Sequence, residues 1–193
     1  MDRKTEYTAQ DFTASLSAPD YIARYRDPER FIEYCRQCPN FGASWACPPF
    51  EPDAADFLYG YRRVLLIATK ITPLRSGIPL GEAQRLIRPE RQRLEKRLLE
   101  MERLYGGRSL AYAGSCLHCP EGSCARRQGA PCRHPERVRP SLEAWGFDVG
   151  ATAAELLGIP LEWGRDGVLP EYLTLVCGFF HDSESVEWAP GHA

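Results

Sequence analysis

Seven cysteines gathered in two short segments are the residues of this chain best suited to chemistry. The first segment reads Cys35-Arg-Gln-Cys38-Pro-Asn-Phe-Gly-Ala-Ser-Trp-Ala-Cys47-Pro-Pro. The second reads Cys116-Leu-His-Cys119-Pro-Glu-Gly-Ser-Cys124, followed after a loop by Cys132-Arg-His-Pro. Two residues between cysteines let both sulfurs face one centre while the intervening amides turn toward the thiolates, an arrangement that recurs at zinc and iron–sulfur sites. Cys116, Cys119, Cys124 and Cys132 offer four thiolates within seventeen positions. That is enough for a tetrahedral ion or for all four irons of a cubane cluster, with Pro120, Gly122 and Gly129 supplying the tight turns. Cys35, Cys38 and Cys47 offer three.

Spacing permits zinc as well as iron–sulfur. Two features favour iron–sulfur. Cys38, Cys47 and Cys119 are each followed by proline, a habit of ferredoxin-type ligands. Arg126, Arg127, Arg133, Arg137 and Arg139 also crowd the second segment, where guanidinium groups would stabilise an anionic cluster and raise its potential. A tetrathiolate zinc is anionic too, so the alternative stands: a structural zinc module presenting an arginine-rich face to a partner. The expected cofactor is one 4Fe-4S cluster or two. If the second segment closes one cluster, the first could hold another whose fourth iron lacks a protein thiolate. Such an iron can act as a Lewis acid or bind a substrate atom, unless a histidine or a carboxylate fills the position. Electron carrier and enzyme are both compatible with this pattern, and the expected partner is a redox protein or a small-molecule substrate.

The remaining reactive residues read more plainly. Cys177, in Leu-Val-Cys-Gly-Phe-Phe, suits a buried small hydrophobe. His118 and His134 are expected to hydrogen-bond near the ligands rather than to ligate, while His181 and His192 suggest no role. Trp45 is expected to shield the first segment from water, and Ser141 to cap a helix starting over 141–144, since no nucleophilic triad is visible. A net charge of −2 gives no global attraction to nucleic acid or anionic lipid, so nucleic acid is not an expected partner.

Apolar residues make up 44% of the chain and charged residues 26%, which points to an ordinary globular protein rather than to disorder. The apolar runs are too short to cross a bilayer, and the opening Met-Asp-Arg-Lys-Thr-Glu lacks the apolar stretch of a secretory signal. A cytoplasmic location is therefore expected, where thiols stay reduced and disulfide frameworks are rare. One domain over 1–193 is expected, with metal-binding segments 35–49 and 116–135.

The elements that must position the thiols follow from periodicity and turn chemistry. Residues 1–20 show no clean period and receive no element. Tyr21, Ile22, Tyr25, Phe31 and Ile32 suit a short helix pair broken near Pro28. Asp53 can cap a short helix through Tyr61. Arg63 to Ile71 reads as a buried strand, and Pro89 to Tyr105 as an amphipathic helix ended by Gly106-Gly107. Ser109 to Ala113 then reads as a second strand, and strand, helix, strand argues for a right-handed crossover between parallel strands. Thr152-Ala153-Ala154-Glu155 has capping-box form, and Tyr172 to Phe180 is a last strand. The fold class expected is α/β: a small mixed or parallel sheet of about four strands with packed helices and an irregular cysteine-rich metal-binding lobe.

Several of these residues also carry a resemblance. Cys35, Cys38, Trp45, Cys47, Pro48 and Pro49 give C-x2-C…W-x-C-P-P. Cys116, Cys119, Cys132, Arg133, His134, Pro135, Arg139, Pro140, Ser141, Leu142, Glu143, Ala144, Gly146, Asp148 and Val149 give C-x2-C…C-R-H-P…R-P-S-L-E-A-x-G-x-D-V. This pair of patterns resembles the predicted metal-binding proteins of domain-of-unknown-function family 2284, from about Cys35 to the C-terminal strand. Phe147 departs from the isoleucine usual there. The resemblance implies metal binding and no particular reaction.

Overall fold

The structure, a computed structural model, describes residues 6–111, 114 and 116–189. Its spine is the strand β2 (Arg63–Pro73). Val64, Leu66 and Ala68 enter one core with Val176 and Phe180, while Leu65, Ile67 and Ile71 enter a second with Leu175, Cys177 and Phe179. Burial on both faces is why β2 and β4 (Leu173–His181) read as near-continuous apolar runs. The two pair antiparallel, with Ile67 opposite Cys177.

A mixed α/β arrangement with four strands is observed, but the expected parallel pairing is not. The sheet order is β1 (Tyr7–Ser17), β2, β4, β3 (Arg108–Leu110), and every ladder is antiparallel. β3 (Arg108–Leu110) and β2 do run in the same direction, joined by α3 (Ala83–Tyr105), yet β4 lies between them. A strand–helix–strand sequence sets strand direction and leaves adjacency open, and the strand from far along the chain takes the slot. Of the segment expected to continue β3, Tyr112 and Ala113 lie outside the described residues, as do residues 1–5 and His192.

β1 (Tyr7–Ser17), in a stretch assigned no element, pairs along its whole length with β2. It is an edge strand with largely half-exposed residues, which dilutes its period, although Phe12, Ala14 and Leu16 alternate onto the first core. A buried polar knot ties β1 to α3. Asp11 accepts from Arg93 at 2.7 and 2.8 Å, from Thr69 Oγ1 at 2.6 Å and from Trp188 Nε1 at 2.9 Å. Burial alone would raise the Asp11 pKa, but bonds from Arg93, Thr69 and Trp188 outweigh it and hold the carboxyl below its ordinary range.

The helix pair about Pro28 is present as α1 (Ala18–Tyr25) and α2 (Pro28–Arg36). Ser17 Oγ accepts from Asp20 N at 3.3 Å and Asp27 Oδ1 from Arg30 N at 3.0 Å, so each helix has a side-chain N-cap. α3 begins at Ala83, so Pro89 lies inside it rather than in its first turn. The expected cap at Asp53 gives way to a 3₁₀ turn, Asp56–Gly60, without a side-chain cap bond. Helical backbone is present from Thr152 as expected, but Thr152 does not cap it. Asp148 caps α4 (Val149–Ala151) through Ala151 N at 2.8 Å, and α4 runs on into a π turn, Thr152–Leu156. Thr152 instead bonds the Tyr21 hydroxyl at 3.0 Å. His181, expected to be incidental, is buried and stacks on Phe179.

Gly146, at φ +87°, follows the 3₁₀ turn Glu143–Trp145 and presses against the start of α2. A Cβ there would sit 2.5 Å from Pro28 Cα. Asp27 N donates to Gly146 O and Asp148 N to Tyr25 O, both at 2.7 Å, so the turn is pinned on the α1–α2 junction. Among the described residues, no helix is long and apolar enough to cross a membrane.

Two outcomes follow for stability. Gly146→Ala should lose more than about 1 kcal/mol in urea denaturation, because a left-handed backbone and a backbone collision combine. Asp11→Asn should lose about 2 kcal/mol, since it weakens charged hydrogen bonds and leaves Arg93 with Glu90 as its carboxylate partner. The Asp11 pKa is depressed by folding, so its contribution is complete above the unfolded value near about 4 and is lost as pH falls below it. The Asn variant should therefore show a shallower acid-induced loss of stability than the wild type, and equal slopes would refute this role for Asp11.

Candidate metal centre

The first cysteine segment grows out of α2. Cys35 occupies its last turn, after which short turns fold the chain back on itself. Cys38 N donates to Cys35 O at 3.0 Å, Phe41 N to Cys38 O at 3.0 Å and Cys47 N to Ser44 O at 3.1 Å. Gly42 N reaches Pro48 O at 2.8 Å and closes the loop, and the Pro48–Pro49 peptide is cis. Three cysteines twelve positions apart are thereby kept on one small loop.

The second segment is equally tight. Ser123 N donates to Pro120 O and Arg127 N to Cys124 O, both at 3.1 Å, and the 3₁₀ turn Ala125–Gln128 ends at Gly129 in the left-handed region. Backbone amides two residues on point at sulfurs: His134 N lies 3.4 Å from Cys132 Sγ, and the His118 amide bonds the Cys116 sulfur. Such bonds stabilise thiolates at metal sites. All eight cysteines are free thiols; six of the seven clustered ones are half-buried and Cys38 is exposed. Cys177, as expected, is fully buried in the sheet, with its sulfur against Ile67 O.

The two segments meet. A cavity of about 150 Å³ has Cys35, Cys38, Cys47 and Cys116 in its wall, together with Glu95 and Glu143. Arg126 is the principal strut, donating to Ser44 O at 2.9 Å and also to Cys47 O and Pro49 O. Trp45, expected to shield, is more than a third exposed and acts as a second strut, with Nε1 donating to Ala130 O at 3.0 Å and its ring under the Arg126 guanidinium. α3 fixes the second segment from below. Glu95 pairs with His118 Nε2 at 3.1 Å and with Arg137 at 3.6 Å, and Glu102 takes Arg139 at 2.6 and 2.8 Å. With Arg133 donating to Ser123 O at 3.0 Å, four of the five arginines in the run are thus engaged with carboxylates or carbonyls.

Electrostatics divide the thiols into the two groups read from spacing. Burial raises the Cys47 pKa to about 11, aided by Cys38 and Cys35 and opposed by Ser44 and Arg126. Cys35 is raised by burial, then by Glu143 and Cys38. Cys116 is raised by burial, and of the other thiols it feels Cys119, Cys124 and Cys132. Among the described residues no three His, Cys, Asp or Glu side chains stand close enough together to hold a metal ion. Metal uptake would therefore draw the sulfurs inward and release their protons. The donor chemistry fits a thiophilic metal: soft sulfur ligands, amides directed at sulfur and a nearby guanidinium.

Glu143 is the feature that spacing did not single out. Its Oε2 is shielded from solvent and, among the described residues, has no hydrogen-bond partner. Burial pushes the carboxyl up to about 7, against its own backbone N–H and the Ser141 hydroxyl. Ser141 also accepts from Ala144 N at 3.2 Å, a capping role as expected, although it caps the 3₁₀ turn Glu143–Trp145 rather than a helix. A glutamate beside Ser141 carries no local signal of burial, because the partner surfaces come from α2 and the first cysteine segment.

Residues 23–177, a span that includes both cysteine segments, match the family described as "Predicted metal-binding protein (DUF2284)". Searches of curated proteins and of solved structures gave no match. With the family pattern running through both halves of the cavity and the strands beneath it, the chain belongs to this predicted metal-binding family.

Proposed function

We propose that this is an iron–sulfur protein acting in electron transfer or in catalysis at an incompletely thiolate-ligated iron. Cys116, Cys119, Cys124 and Cys132 hold one 4Fe-4S cluster, and Cys35, Cys38 and Cys47 hold a second centre bordering the cavity. The observation that carries this reading is the meeting of two reduced cysteine segments on one cavity wall, three thiols from one and Cys116 from the other. Amides aimed at Cys116 and Cys132 support it, as do the prolines after Cys38, Cys47 and Cys119.

When bound, such a cluster supplies one-electron transfer and, at an iron short of one thiolate, a Lewis-acidic position. The chain's own residues then hold and tune it. Arg126 keeps the two segments in register and places positive charge beside Cys47. Glu95 and Glu102 orient His118, Arg137 and Arg139, so the second segment cannot swing away from α3. A small-molecule substrate would enter by the cavity, and a redox partner would approach the exposed Cys38 loop.

Anaerobically purified protein should be brown, absorb broadly near about 400 nm and contain iron and acid-labile sulfide. Cys119→Ser or Cys124→Ser should remove one cluster, whereas Cys177→Ser should leave the iron content unchanged. Colourless protein with stoichiometric zinc and no sulfide would replace iron–sulfur with the zinc reading. Arg126→Met should weaken metal retention by about 10- to 100-fold in chelator competition, the range typical of lost supporting contacts. Unchanged retention would show that the strut is dispensable.

A further inference from the structure

Resting on the reading that Cys35, Cys38 and Cys47 hold metal, we propose that the Glu143 carboxylate is the fourth, oxygen ligand of that centre. Three thiols leave one position to fill, and a carboxylate is an accepted ligand of both iron and zinc. Glu143 lines the same cavity as the three cysteines, and its charge acts on Cys35.

Its surroundings leave it little else to do. Among the described residues Oε2 is cut off from solvent without a hydrogen-bond partner, and a buried oxygen left unpaired is costly. The arginines of the second segment that approach the cavity serve other groups: Arg126 three carbonyls, Arg137 Glu95, and Arg139 Glu102. A cation at the cysteine loop would satisfy this oxygen.

The position is also built. Glu143 opens a 3₁₀ turn held on the α1–α2 junction by the Gly146 and Asp148 backbone bonds, and α2 carries Cys35. On the other side, the buried Trp145 stacks on Phe50, three residues past Cys47, with ring centroids 4.3 Å apart. The turn is thus wedged between the chain bearing Cys35 and the chain leaving Cys47. A lone carboxylate among thiolates is the ligand a substrate oxygen or a small anion entering the cavity would displace first.

The test is anaerobic reconstitution of the full chain with ferrous iron and sulfide, comparing wild type, Glu143→Ala, Glu143→Gln and Glu143→Cys by iron and sulfide content, electron paramagnetic resonance after reduction, and rate of loss to a chelator. Wild type should hold two centres. The Ala and Gln variants should lose the first or release it about tenfold faster, leaving the second unaltered, and Glu143→Cys should restore retention with a shifted charge-transfer spectrum. Gln preserves shape, so it decides the matter if Ala disturbs folding. Two centres in wild type with unchanged spectra and release rates in Gln and Ala would overturn the ligand role alone. A wild-type chain that takes up no metal at the first segment would overturn the parent reading, and this inference with it.

Discussion

The cysteine lobe depends on one guanidinium. Arg126 stands in the second segment and donates to three backbone carbonyls of the first, at Ser44, Cys47 and Pro49. A loop of this kind has few apolar side chains to bury and many carbonyls that no helix or strand satisfies, so a multidentate donor is an economical way to order it. Lysine, with a single nitrogen, could not span three acceptors in the same way. Trp45, donating to Ala130 O, adds a second polar contact between the segments and helps the two groups of thiols to share a cavity.

The sheet supplies the fixed frame for that contact. β4, inserted between β2 and β3, gives the central strands two buried faces, and α3 packs on one of them. From α3, Glu95 and Glu102 reach the second segment, while the α1–α2 junction on the opposite core carries the first. The lobe is therefore anchored from both cores. Glu102 shows the cost and the compensation: burial alone would raise its pKa, yet Arg139 and the Ser109 amide hold it below its ordinary range. At the thiols the opposing contacts, Ser44 and Arg126 at Cys47 and the His118 amide at Cys116, do not outweigh burial, and their pKa values stay raised where the carboxylate's does not.

Much of this was legible in the sequence where the signal is local. The cysteine spacings, the turn-forming prolines and glycines between them, the helix pair about Pro28 and the two central strands all follow from residues close together in the chain. Strand adjacency was not, because the β2–α3–β3 unit carries no trace of a strand sixty residues later that separates its members. β1 was obscured by its place at the sheet edge, where half-exposed positions admit Thr8, Gln10 and Asp11 among the apolar residues. Pro89 drew the start of α3 six residues too late, since proline suits a first turn but is tolerated deeper in a helix at the expense of one backbone bond.

Glu143 illustrates the remaining gap. In the chain it is one glutamate among many, in a stretch whose neighbours suggest only a cap. Its distinction is created by tertiary structure: Gly146 lets the turn lie flat on Pro28, Trp145 packs against Phe50, and the carboxyl is left facing a cavity walled by thiols from elsewhere. A protein that wished only to bury this turn could have done so with glutamine or leucine at lower desolvation cost. Keeping an acid there, with one oxygen unpartnered among the described residues and three cysteines one short of a complete ligand set on the same cavity wall, makes sense when a cation belongs in the same space.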